Sequence, residues 1–124
     1  MVEIEIVKKS QLQVGASTPG IIREVAFTSK NVMFVLSTVT KANESSGWHS
    51  HGGHDVYGYV VSGRQKFEYG PDRKSFAEAG PGDFFHIPAG TVHRDIAAGE
   101  EKVKLVLAFV GTGPIAVNVK APET

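Results

Sequence analysis

Three of the five histidines fall within the stretch Gly47-Trp48-His49-Ser50-His51-Gly52-Gly53-His54-Asp55, and another, His93, follows the turn Pro88-Ala89-Gly90. Neutral imidazole is the commonest protein ligand for transition metals. Residues two apart on a β-strand project from one face, so His49 and His51 can present their rings side by side. His93 would then close the site from a second strand. The chain has no cysteine, which excludes thiolate sites for zinc or iron–sulfur clusters and leaves nitrogen and oxygen donors. The pattern points to one divalent transition-metal ion held by His49, His51 and His93. Iron, zinc, nickel, manganese and copper all suit three imidazoles, and such a set leaves positions open for water, substrate or dioxygen.

The elements that must position these residues read as short strands. Val2–Val7 alternates acidic and apolar residues, and Ile21–Phe27 and Asn31–Thr40 are rich in β-branched and aromatic residues. Val56–Val61 reads as a strand that Ser62-Gly63 turns into Arg64–Tyr69, a hairpin pattern. Phe84–Ile87, Thr91–Ala97, Val103–Val110 and Ile115–Val119 continue the series, while Phe76–Ala79 is too short to assign. Gln11–Gly20 and Lys41–Gly47 read as loops, Gly80-Pro81-Gly82-Asp83 as a break, and Ala121–Thr124 as a frayed tail. No long segment carries a helical apolar period. About nine strands between Gly/Pro turns predict an all-β sandwich or barrel, with residues 1–124 as a single domain. Phe34, Phe67, Phe84 and Phe85 are expected in its core.

Two segments together resemble the motifs of the cupin superfamily. The family's first motif is H-x-H, three or four residues, E, six residues, G; here His49, His51 and Gly63 match it. Its second is G, five residues, P-x-G, two residues, H; Gly82, Pro88, Gly90 and His93 match without a gap. The resemblance implies a double-stranded β-helix, or jelly-roll barrel, with the metal in its mouth on His49, His51 and His93. It also implies a homodimer paired through edge strands, for which Val2–Val7 is the candidate. The family's glutamate is absent: Val56 stands in its place. Three arrangements are open, namely a bare three-histidine site, a fourth ligand from His54, or, less favoured, a carboxylate from Asp55. Without a carboxylate the site is more positive, which suits an anionic or bidentate substrate such as an enolate, a carboxylate or a sugar acid. Trp48, Gly58 and His86 are candidate pocket-lining residues, with Gly58 enlarging the pocket if it faces inward. Tyr57 and Tyr59 alternate to the opposite face, where they could serve a subunit contact.

The motifs specify fold better than function, because cupins include isomerases, dioxygenases, lyases and binders. The leading expectation is an enzyme with a mononuclear three-histidine centre, dioxygenase-like. An isomerase or lyase acting on a sugar or keto acid, and a non-catalytic small-molecule binder, are the alternatives. The catalytic residues are not identified by sequence. The equal numbers of basic and acidic residues argue against a nucleic-acid or membrane-surface partner recruited by bulk charge. The N-terminus lacks a signal-peptide pattern and no apolar run approaches a membrane span, so a cytoplasmic protein is expected. Since ligand histidines must be neutral, metal loss is expected below about pH 6, near the ordinary imidazole pKa.

Overall fold

The computed structural model describes residues 3–40 and 44–122. After a 3₁₀ turn at Lys9–Gln11 the strands are β1 (Gln13–Val14), β2 (Ile21–Thr28), β3 (Val32–Val39), β4 (His49–Ser50), β5 (Asp55–Ser62) and β6 (Gln65–Tyr69). They continue with β7 (Ser75–Ala79), β8 (Phe84–Ile87), β9 (His93–Ala97), β10 (Val103–Val110) and β11 (Val117–Asn118). Two antiparallel sheets result, ordered β1-β2-β3-β10-β5-β8 and β11-β4-β9-β6-β7. This is the expected jelly-roll arrangement, open along one side, where β7 and β8 are the edges of their sheets.

The period-two pattern explains the core. In β10, Val103, Leu105, Leu107 and Phe109 are buried and their neighbours are not. Val56 and Val60 of β5 and Val35 and Val39 of β3 meet them, and Phe67 of β6 faces them from the second sheet. Each such side chain contributes roughly 1.5–3 kcal/mol on burial. Alternation also corrects the expected core: Phe67 is buried, but Phe34 is 42% and Phe84 79% exposed. Phe84 and Phe85 are adjacent in one strand and must face opposite sides, and it is Phe85 that packs on the core.

Two further expectations fail. Val56–Val61 and Arg64–Tyr69 do not form a hairpin: β5 pairs with β10 and β8, whereas β6 pairs with β7 and β9. Both strands carry inward apolar residues, and they bury them by facing each other across the core from different sheets. Gly63 makes the crossing possible. Its φ is 83°, and a Cβ there would stand 2.6 Å from the Lys102 carbonyl oxygen. The acidic–apolar alternation at the N-terminus builds no strand either. Glu3–Val7 pairs with no sheet, and Ile4 and Ile6 are 93% and 71% exposed; Val2 lies outside the described residues. An amphipathic pattern is a strand only where a sheet accepts its apolar face.

Gly58 does face the interior, between Val56 and Val60. A Cβ at 58 would overlap the Phe85 ring, so the glycine makes room for that ring and does not widen a cavity. Glycine inside a strand ordinarily costs about 0.5–1 kcal/mol relative to alanine, so Gly58→Ala would stabilise if the space were free. Overpacking against Phe85 reverses the sign, with an expected loss of about 1–3 kcal/mol in urea unfolding. Adding Phe85→Ala should recover part of that loss. Strict additivity of the two substitutions would show that the ring is not the obstacle.

Candidate metal centre

The two-residue strand β4 lies between β11 and β9, with His49 directly opposite His93. Opposed residues of a ladder share a face, and both rings point into the interior, where they are almost fully buried. His51 follows β4 on the same parity and joins them. Ring centroids are 4.4 Å apart for His49–His93, 5.1 Å for His49–His51 and 5.0 Å for His51–His93. One ligand atom from each ring lies within 4.8 Å of the others, a group that could hold a metal ion.

Hydrogen bonds fix the rings. Nδ1 of His49 donates to the Gly47 carbonyl at 2.8 Å, that of His51 to Ile115 at 2.8 Å, and that of His93 to Thr91 at 3.0 Å. A carbonyl oxygen only accepts, so each Nδ1 carries the hydrogen and each Nε2 keeps its lone pair. Nε2 of His49 and of His93 are buried without any hydrogen-bond partner. Burial, opposed by nearby Asp95, pushes the His49 imidazole down to about 4. Burial, reinforced by His93, pushes His51 down to about 3. Both are therefore neutral at physiological pH, as metal ligation requires. The turn that carries the first motif is tied to the second by the Gly90 N–H, which donates to Gly52 at 2.9 Å.

The other sequence candidates lie elsewhere. His54 is buried but outside the cluster; its Nδ1 donates to the His51 carbonyl at 3.1 Å. The Gly52-Gly53 turn brings the chain back on itself, so His54 braces the backbone of His51. Asp55 alternates with the buried Val56 and points outward, accepting from His86 Nε2 at 2.9 Å. The His86 ring stacks on Tyr57 on that same outer face. Trp48 is buried on the side of β4 away from the histidines, with the Arg94 guanidinium 5.1 Å over its ring.

A cavity of about 600 Å³ opens between β7 and β8 and runs to His93, walled by Phe67, Tyr69, Phe84, Phe85 and Thr91. Residue His86 borders it, whereas Trp48 and Gly58 do not. Two residues missed in the sequence belong to this region. Tyr69 stands opposite His93 in the β6–β9 ladder. Asp95, buried in β9, places Oδ1 3.4 Å from His93 Nε2 and 3.6 Å from His49 Nε2. Burial alone would raise the Asp95 carboxyl, but its contact with His93 and the nearby His49 and His51 outweigh burial and hold it below the usual carboxylate range. The signal was His93-x-Asp95, two residues of equal parity in one strand.

A family model for the cupin domain matches residues 36–109, more than half of the chain. The chain belongs to the cupin family. No curated protein matches this cupin in sequence. Among solved structures it resembles the polyketide cyclase RemF from Streptomyces resistomycificus, at 19% identity and a TM-score of 0.75, covering 96% of this chain and 87% of the other. KdgF from Halomonas sp. is similar at 23% identity and a TM-score of 0.66, covering 87% and 96%. A mutant of the oxalate decarboxylase OxdC from Bacillus subtilis is similar at 19% identity and a TM-score of 0.69, covering 84% of this chain and 29% of that one. At these identities the likeness is one of fold. Among the described residues, no helix is long and apolar enough to cross a membrane.

The depressed imidazoles give the metal-free protein a pH-dependent stability. Folded His49 and His51 take up protons only near pH 4 and pH 3, whereas their unfolded counterparts do so near 6.5. Between these values the unfolded chain binds more protons, so stability is full above about pH 6.5 and falls as pH drops through this window. Denaturation midpoints recorded in chelator across pH 7 to 4 should show the decline, and His51→Gln should flatten it. A flat wild-type profile would contradict the burial of these rings. The ordinary imidazole value behind an expected metal loss below about pH 6 does not describe His49 or His51.

Proposed function

We propose that this cupin is an enzyme whose mononuclear metal centre, on His49, His51 and His93, acts on a small molecule in the manner of a dioxygenase. The observation that carries this reading is the convergence of three imidazoles, one of which, His93, lines a cavity large enough for a small substrate. A metal held there supplies Lewis-acid polarisation of an oxygen donor and, if redox-active, electrons for dioxygen chemistry. The chain's own residues bind and orient. The rings of Phe67 and Phe85 offer apolar walls to a planar body and displace water from it, with Phe84 at the rim. Tyr69 brings a phenol to the same wall as His93. This lining favours a substrate with an apolar or aromatic body and an oxygen-bearing head over a sugar acid.

A second reading, a metal-dependent isomerase, lyase or cyclase working by proton transfer, is favoured by the titratable groups Tyr69, Glu78 and Asp83 on the cavity. In either reading a homodimer would cover the outer face of the six-stranded sheet, where Tyr57, Tyr59, Val61 and Phe84 are exposed.

Metal content by mass spectrometry on untagged protein is the first test. The expected result is one ion per chain in the wild type and essentially none in His51→Ala. Iron accompanied by dioxygen uptake in the presence of small aromatic enols would support the dioxygenase. Zinc, nickel or manganese without uptake would move the assignment to the proton-transfer enzymes or to a binder. Absence of metal from both proteins, with no uptake on titration, would overturn the metal-centre reading.

A further inference from the structure

We propose that Asp95 is a fourth ligand of the centre, a carboxylate reaching the ion from β9 in place of the glutamate that the first motif lacks. The proposal rests on the reading of His49, His51 and His93 as a metal site. Its basis is the hydrogen-bond inventory of the interior. Asp95 Oδ1, His49 Nε2 and His93 Nε2 are three buried polar atoms with no partner, and they face one another. Both Nδ1 atoms are committed as donors to carbonyls, so in the neutral imidazoles both Nε2 atoms are acceptors, and a carboxylate oxygen is an acceptor too. Acceptors do not satisfy one another. A cation at the centre of such a set stabilises it.

The separations from His49 and His93 suit a shared ion, although Asp95 lies outside the group whose ligand atoms are all within 4.8 Å of one another, so ligation requires its side chain to move toward His51. Two donors each about 2.05 Å from one metal stand ~3.4 Å apart at a tetrahedral angle; the observed values are 3.4 and 3.6 Å. Among the described residues, the buried Arg23 donates from its Nη1 to Thr18 Oγ1 at 2.9 Å and to the Ala16 carbonyl at 3.2 Å, while its Nε has no partner. The Asp95 backbone N–H is satisfied by Ser46 Oγ at 2.9 Å, which fixes the strand at this point and leaves only the side-chain oxygen without a donor. Val56, at the glutamate position of the family pattern, is buried in the core and offers no donor.

The consequence for chemistry is a lower positive charge than three imidazoles alone would leave. A three-imidazole centre leaves a divalent ion with its full charge and draws anionic substrates. With Asp95 bound the centre keeps one unit of positive charge and one open position fewer, which favours neutral or singly charged oxygen donors.

Cobalt(II) is the probe. Wild type and Asp95→Asn are loaded with cobalt(II), their visible ligand-field bands recorded, and their dissociation constants measured against a chelating dye. Substituting a residue that merely supports a ligand weakens metal binding by about 10–100-fold. Loss of a direct anionic donor is expected to exceed ~100-fold and to shift the bands. Unchanged bands, whatever the affinity, would overturn the proposal, since a charge acting through space leaves the ligand field alone. Should Asp95→Asn fail to fold, the crystal structure of wild-type cobalt(II) protein decides: Asp95 Oδ1 at about 2.0–2.2 Å from the ion supports ligation, and an oxygen left at non-bonding distance overturns it. Failure of the wild type to take up cobalt(II) would overturn the metal-centre reading as well, whereas cobalt(II) bound identically by both proteins would overturn Asp95 alone.

Discussion

The hydrogen bonds from three imidazole Nδ1 atoms to backbone carbonyls are the constraint on which the interior depends. They turn lone pairs inward at the point where the chain is least accessible to water. Two of the carbonyls, Gly47 and Thr91, lie two residues before the histidine they hold, so each motif carries its own brace. The third, Ile115, comes from the far end of the chain and is itself buried in the core. An unpartnered buried acceptor costs about 1–3 kcal/mol, and this fold gathers several. The apolar residues of β3, β5 and β10 offset that cost, so the site is maintained by a core that takes no part in its chemistry.

The two-sheet geometry decides where a substrate could enter. Because β5 and β6 separate into different sheets, the later strands divide as well, and β7 and β8 become edges that do not pair with each other. The gap between them is the cavity that reaches His93. A closed barrel would have buried the histidines without access. Gly58 contributes to the same arrangement by admitting Phe85 to the interior, where its ring packs against Phe67 at 4.9 Å and both wall the cavity.

The outer face of the six-stranded sheet took residues that looked chemically promising. Asp55, Tyr57 and His86 meet there in a stack and a hydrogen bond. Their proximity to the first motif in sequence says little about their direction, since one step along a strand reverses the face. His54, a possible fourth ligand by sequence, is turned elsewhere: the Gly52-Gly53 turn folds back and buries the ring against the His51 backbone.

The sequence by itself determined the all-β class, most strand positions, the family and the identity of three converging histidines. These follow from local rules: a period of two, turn residues at the breaks, and ligand types at fixed spacing. Only the tertiary structure decided which strands share a sheet, because the same inward pattern in β5 and β6 fits a hairpin or two facing sheets, and packing across the core selects between them. It likewise decided that Glu3–Val7 joins neither sheet of its own chain. Asp95 entered the site for the same reason. Its parity with His93 was legible, but a carboxylate in a strand becomes part of a centre only when another strand brings a further acceptor beside it, here His49 of β4 at 3.6 Å.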